Sequence, residues 1–212
     1  MFNESELVKR LRTLLPDHRT AFAASCCERL LPNYFAFSQM EEWGEPDLLR
    51  QTLDEIWRSL EGRPTSELRV RELMQTCTDL VPDTEDFQSL FVSAAGDAAA
   101  AIVYTLECCL DGDAERAALV GRLATETLYQ YLIRVNDPQT GVQIADPVFE
   151  EQMLRAPLMM AELKKQQQDL QLLESQEVLT SFLLENLITS SRLVGIRPFE
   201  RGLVKPIDKQ FR

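Results

Sequence analysis

The sequence predicts an all-α fold, a single-domain helical bundle of about eight helices. Three observations carry this. Apolar residues recur at three- and four-residue spacing through almost the whole chain. Breakers such as Gly44, Pro46, Gly62, Pro82, Gly112 and Pro138 fall between those stripes. Only Val142-Gln143-Ile144 and Leu203-Val204 have extended character, and both are too short for a sheet. A length of 212 residues with 45% hydrophobic content suits one domain with a core of its own. The boundaries read as a helical domain over 1–196 and a basic C-terminal tail over 197–212. No internal repeat at a fixed period is seen.

Leu7, Val8, Leu11, Leu14 and Leu15 form a first stripe, stopped by Pro16. Asp17 is placed to cap a second helix, whose apolar half-circle is Phe22, Ala23, Cys26, Cys27, Leu30 and Leu31. Pro32 should end or kink it, because proline lacks the N–H and crowds the preceding turn. Residues 33–37 then form a short aromatic segment. A third helix begins at Pro46, a favourable first position, and runs to 60 before Gly62. Its buried face is Leu49, Leu53, Ile56, Trp57 and Leu60.

A fourth helix starts near Thr65 or Ser66, carries Val70, Leu73, Met74 and Cys77, and closes at Pro82. The fifth spans about 93–110 with Ser93 as its cap, and Asp111-Gly112-Asp113 is the turn after it. A sixth covers about 114–135. Residues 137–147 read as a loop. Helix follows from 147 to 173 with a break or kink at Pro157, and a last helix runs from 176 to 194.

Charge narrows the function. Lys and Arg number 22 against 34 Asp and Glu, a net charge of −12. Nucleic-acid and anionic-membrane binders rely on positive fields, so neither class fits the body of the chain. No run of 18 apolar residues is present, so no membrane span is expected. The tail inverts the sign: Arg197, Arg201, Lys205, Lys209 and Arg212 face only Glu200 and Asp208, a net +3. It is expected to lie over its own acidic domain, to serve as a partner-binding or dimer-exchanging arm, or to contact nucleic acid; for the last, three net charges offer few phosphate contacts.

Five cysteines, Cys26, Cys27, Cys77, Cys108 and Cys109, make a poor disulfide framework, and no CxxC spacing occurs. The N-terminus has no basic and apolar leader pattern, so a reduced cytoplasm is the expected location. By helical angle, Cys27, Cys77 and Cys109 face the centres of their stripes, and packing is the expected role of all five. Cys26 has Arg29 three residues on, the neighbour a reactive thiol would need.

Catalytic motifs are missing where they would be diagnostic. The sequence holds no GxGxxG, no GxxxxGK[ST], no HExxH and no EF-hand loop. The single histidine, His18, excludes His-rich zinc sites and is expected on the surface. A di-metal bundle needs Glu-x-x-His, and the residue three before His18 is Leu15. No metal and no cofactor is expected.

The polar residues among the apolar stripes are the candidate site: Glu28, Arg29, Asn33, Tyr34, Trp57 and Asp97. Arg29 and Asp97 sit at the borders of their apolar half-circles, and Glu28 points toward solvent. The run Ala98-Ala99-Ala100-Ala101 lets another helix approach closely. If that helix is the second, Arg29 and Asp97 meet, either as an ion pair locking two helices or as part of a polar cleft with Tyr34 and Trp57.

The segment Cys26-Cys27-Glu28-Arg29-Leu30-Leu31-Pro32-Asn33-Tyr34 resembles a block of the YjaG-like bacterial family, domain of unknown function 416. Leu53-Asp54-Glu55-Ile56-Trp57 and the set Pro82, Asp86, Phe87, Val92, Asp97 resemble two further blocks. The resemblance covers about 22–196 and implies an all-helical, cytosolic protein with no established catalytic residues. The tail is an extension beyond it.

Three functions compete on these grounds. One is a non-catalytic protein-binding role as regulator, adaptor or inhibitor, with a protein partner or a second copy of the chain. Another is a small-ligand binder or enzyme using a polar cleft near Arg29 and Asp97. A nucleic-acid role through the tail is a third.

Overall fold

The computed structural model describes residues 4–89, 91–136 and 147–194. They form nine helices and no strand: α1 Glu4–Thr13, α2 Pro16–Glu41, α3 Pro46–Leu60, α4 Glu67–Thr78, α5 Val92–Asp111, α6 Ala114–Asn136, α7 Pro147–Leu154, α8 Pro157–Glu174 and α9 Ser181–Val194. The protein is thus an all-α, single-domain bundle. The count exceeds the expected eight because Pro157 starts a new helix rather than kinking one. The expected loop over 137–147 lies outside the described residues up to 146, and Pro147 opens α7; the stop at Gly195 and the tail also lie outside them.

α2 is the axis of the bundle. It packs against α3, α5, α6, α8 and α9, most extensively against α5. The alanines of α5 allow this: Ala95, Ala98, Ala99 and Ala101 are buried, and their short side chains bring the two backbones together. The close approach expected of this stretch is therefore made to the second helix. Cys27 Sγ lies 3.2 Å from Thr105 Oγ1 across the contact.

Encirclement also explains why Pro32 does not stop α2. The helix continues to Glu41 with Pro32 inside it. An internal proline costs about 3 kcal/mol. Beyond it Tyr34 and Phe37 are fully buried, and each such burial contributes about 1.5–3 kcal/mol. Phe37 makes edge contacts with Trp43 and Phe87, at centroid distances of 6.0 and 5.0 Å. Tertiary packing thus outweighs the local breaker.

Several boundaries differ from expectation for local reasons. Pro16 occupies the first turn of α2, and its cap is Leu15 with no side-chain bond, so Asp17 is not the cap. Ser93 does not cap α5; the cap position is Phe91, and Ser89 Oγ accepts the Phe91 N–H at 3.3 Å. α9 starts at Ser181 rather than near 176, because the Thr180 hydroxyl accepts the Leu183 N–H at 3.2 Å. α4 ends at Thr78, ahead of Pro82. Ser66 does cap α4, accepting the Arg69 N–H at 3.3 Å. The Asp111-Gly112-Asp113 turn forms as expected, with Gly112 at φ +62°.

α5 is long and apolar enough to cross a membrane by length and composition, with a mean hydropathy of 1.2 in its most apolar window. Half of that window is buried inside the bundle.

Gly44 joins α2 to α3 at φ +81°, and a Cβ there would come within 2.3 Å of the Tyr34 hydroxyl. That hydroxyl donates to the Leu80 carbonyl at 2.9 Å. Gly44→Ala should therefore cost at least about 2 kcal/mol in urea denaturation, from backbone strain and the displaced tyrosine together.

Candidate functional site

A helix packed on every side has no solvent face, so any charge on it must find a partner inside. From Thr20 to Leu31 every residue of α2 is buried. Glu28 and Arg29 are the charged pair within that stretch. Being consecutive, they point about 100° apart and enter two separate sites.

Arg29 is 0% exposed and enters a cluster closed by α8 and α9. Its Nε and Nη2 donate to the Glu162 carboxylate at 2.7 and 2.9 Å, a bidentate pair. Nη1 donates to the Ser25 carbonyl and hydroxyl at 2.9 Å each, to Asp169 at 3.2 Å and to Ser191 at 3.3 Å. Nη2 also reaches Cys26 Sγ at 3.1 Å. Lys165 pairs with Asp169. Gln166 ties the cluster to α6, donating to Glu162 at 2.8 Å and to the Gly121 carbonyl at 2.9 Å. Two cations and two anions thus balance, and all four are buried. Burial disfavours the Arg29 charge, but Glu162 and Asp169 more than compensate and raise its pKa. Burial lowers that of Lys165, with Asp169 opposing and Arg29 adding to the effect.

Glu28 enters the other site and does not point to solvent as expected. Burial would raise its carboxyl, yet hydrogen bonds from Arg50 and Arg192 hold it below the usual range. Arg50 donates to it at 2.7 and 2.8 Å, Arg192 at 2.9 and 3.3 Å, and the Trp57 indole at 2.9 Å. Arg50 also bonds Asp54 at 2.6 Å. This ion cluster floors a groove of about 930 Å³ between α2 and α3 that ends at α9. Leu31, Pro32, Phe35 and Ala36 make one wall, and Pro46 and Asp47 belong to the other. Phe35 is 38% exposed there.

The remaining candidates are dispersed. Arg29 and Asp97 do not pair. The guanidinium spends its donors on α2, α8 and α9, whereas Asp97 accepts the Thr127 hydroxyl at 2.7 Å, from α6. The expected cleft of Arg29, Asp97, Tyr34 and Trp57 is therefore not assembled. Tyr34 is held by Leu80 and buried, and Trp57 belongs with Glu28. Asn33 is fully buried, and neither end of its amide has a hydrogen-bond partner among the described residues. The basic residues Arg197, Arg201, Lys205, Lys209 and Arg212 lie outside the described residues.

His18 is buried rather than on the surface, its Nε2 3.0 Å from the Gln176 carbonyl. All five cysteines are free. Cys108 is buried and Cys109 half-buried, the reverse of the order expected from helical angle; the Cys108 thiol donates to the Asp113 carbonyl at 3.7 Å. Burial raises every one of these thiols, Cys26 to about 12, so Arg29 does not make Cys26 a thiolate at neutral pH.

Sequence reasoning missed Glu162, Lys165, Gln166 and Asp169. Their i, i+3, i+4, i+7 spacing was available as one polar stripe on α8, but such a stripe ordinarily faces water. Arg50, Asp54 and Arg192 were likewise unmarked, since nothing local ties them to Glu28.

A single-domain helical bundle built around a buried ionic helix, with one groove opening beside it, is the class of protein these features define. The profile of the family described as "Protein of unknown function (DUF416)" matches residues 6–197, and the chain belongs to that family. It is 27% identical over 143 residues to the uncharacterized protein YjaG of Escherichia coli K12, covering 67% of this chain and 70% of that relative. It is 28% identical over 120 residues to YjaG of Salmonella typhimurium, covering 56% and 61%. A crystal structure of a DUF416 family protein from Shewanella baltica OS155 superposes with a TM-score of 0.77 at 27% identity, over 87% of this chain and 92% of that one. The Cys26–Tyr34 block that carries the resemblance is the middle of α2, where both ionic sites originate.

Arg29→Met should cost about 3–5 kcal/mol, because it leaves Glu162 and Asp169 facing Lys165 alone in a buried site. In a double-mutant cycle read by urea denaturation, Glu162→Gln should be less than additive with it and Asp97→Asn additive.

Asp97 supplies a pH test. Burial raises its carboxyl from 3.8 to about 6, against the Thr127 hydrogen bond, and Glu126 adds to the rise. A carboxyl raised on folding binds its proton more tightly in the native state, so stability falls as pH climbs from about 4 to about 6. Asp97→Asn should be about 1–2 kcal/mol more stable than the wild type at pH 7.5. The difference should vanish near pH 4 in the same denaturation assay.

Proposed function

We propose that the protein is a non-catalytic, cytoplasmic binding protein, a regulator, adaptor or inhibitor, whose α2–α3 groove receives a segment of a protein partner. One observation carries this reading. The groove offers an exposed apolar wall around Phe35, whereas the polar side chains that a catalytic cleft would need are consumed internally. Arg29 is sealed, Tyr34 is bound to Leu80, and Glu28 is neutralised by two arginines. A net charge of −12 favours basic partners and speeds their association. Five free thiols, four of them buried, are consistent with a reducing compartment. A second copy of the chain is one such partner.

Phe35 has no polar partner, so Phe35→Glu should fold with near-wild-type stability while placing a charge on the apolar wall. Partner capture from a bacterial lysate should yield a stoichiometric protein with the wild-type chain and lose it with the variant. Equal capture by both would remove the groove from the interaction. A small molecule retained in native mass spectrometry of the wild type would move the assignment to ligand binding.

A further inference from the structure

The groove is unevenly charged along its length. At the α9 end, Arg50 and Arg192 are matched by Glu28 and Asp54. At the other end, the α2–α3 turn carries Glu41, Glu42, Glu45 and Asp47, and no Lys or Arg occurs from 30 to 49. Glu42, Glu45 and Asp47 are exposed. None of the four is ion-paired among the described residues.

The chain itself carries the complement. α9 brings Arg192 to the groove and is described to Val194, and 18 residues follow. Contrary to the reading that no fixed period repeats, residues 197–212 fall into four tetrads: Arg197-Pro198-Phe199-Glu200, Arg201-Gly202-Leu203-Val204, Lys205-Pro206-Ile207-Asp208, Lys209-Gln210-Phe211-Arg212. Each tetrad opens with a cation and has an apolar residue two places on. In an extended chain, residues two apart share a face. One face of this segment would then read cation, apolar, cation, apolar throughout. Pro198, Gly202 and Pro206 favour an extended backbone over a helix.

We propose that the tail docks, extended, in the α2–α3 groove of its own chain, with about residues 197–201 filling the groove and Lys205 and Lys209 continuing beyond it to the acidic turn. Phe199 meets the wall around Phe35. The reach is ample. From Glu28 to Gln39 the groove follows α2 for about 16 Å, a span that about five extended residues cover. The family match ends at residue 197, so the groove belongs to the family region and the tetrads to this chain's extension beyond it. Residues 1–196 carry a net −15 once the tail's +3 is set aside from −12. That field holds the tail to its own body and disfavours delivering it to a nucleic acid or an anionic membrane. The tail then acts as a resident competitor that a partner segment must displace. This rests on the groove being the docking surface proposed above.

The test uses the full-length chain throughout. A photoreactive benzoylphenylalanine replaces Phe199 in an equal mixture of isotopically light and heavy chains. Cross-links should map within one chain, to residues 31–39 or 46–54. Cross-links elsewhere, or only between chains, would overturn the proposal. In hydroxyl-radical footprinting, the triple variant Arg201→Glu, Lys205→Glu, Lys209→Glu should raise oxidation of Phe35 roughly threefold or more, as a mostly occupied site becomes mostly open. Added salt should raise it in the wild type as well. Unchanged oxidation of Phe35 would overturn the proposal. So would retention of the wild type, but not the variant, on phosphatidylserine vesicles or duplex DNA without change at Phe35. Partner loss on Phe35→Glu without groove cross-links defeats the tail alone, and groove cross-links without any captured partner defeat only the protein-binding reading.

Discussion

Arginine cannot escape burial by giving up its proton, so the sealed guanidinium of Arg29 dictates what surrounds it. An unpaired charge at that depth would cost several kcal/mol, and one carboxylate would leave donors unsatisfied. The solution here is Glu162 in bidentate contact, with Asp169, Ser25 and Ser191 on the remaining donors. Asp169 in turn brings Lys165, which restores neutrality. The position and rotation of α8 about its axis follow from this chain of requirements, because Glu162, Lys165, Gln166 and Asp169 must all face inward. A buried ionic cluster of this kind adds little net stability over an apolar substitute. What it fixes is register: α8 displaced by one turn would leave two charges unmatched.

Glu28 imposes the matching condition on the other side of α2. Its carboxylate collects Arg50 from α3, Arg192 from α9 and the Trp57 indole. Both arginines are partly exposed, so this half of the ionic structure is wet where the Arg29 half is dry. The difference separates their roles. The dry cluster is closed to any visiting molecule. The wet one forms the floor of a groove, and the rearrangement of an exposed arginine costs far less than the opening of a core.

The helical class, the order of elements and the capacity of the α5 alanines to admit another helix closely were legible because each depends on local periodicity or side-chain size; that the helix is α2 was not. Pro46, Ser66 and Gly112 acted as their local chemistry predicts. Pro32 and Asp17 did not, because burial of Tyr34 and Phe37 and the placement of Pro16 overrode them. The candidate residues stand out in the sequence as polar or aromatic groups among apolar stripes, but their partners do not. Arg29 was assigned to Asp97 on the assumption that α2 has one buried face. The stretch from Ala21 to Cys27 has no charged residue at all, which is the mark of a helix buried all round. Even so, the identity of Glu162 as partner could not be read, since it lies 133 residues away and its own stripe looks like a solvent face.

The two ionic sites are not independent, because the chain joins them twice. Glu28 and Arg29 are adjacent on α2, and Ser191 and Arg192 are adjacent on α9. Arg192 bonds Glu28 in the groove, while Ser191 bonds Ser25 and Arg29 in the core. The α2–α9 contact therefore has a wet edge and a dry edge made by neighbouring residues on both helices. A segment entering the groove competes for Arg192 on the same turn of α9 that closes the Arg29 cluster. Movement of that turn would withdraw the Ser191 hydroxyl from Ser25 and Arg29 in a fully buried site, and a buried hydrogen bond left unmade is costly. The geometry thus holds α9 stiffly against α2 and leaves side-chain exchange at Arg192 as the cheap response to an occupant.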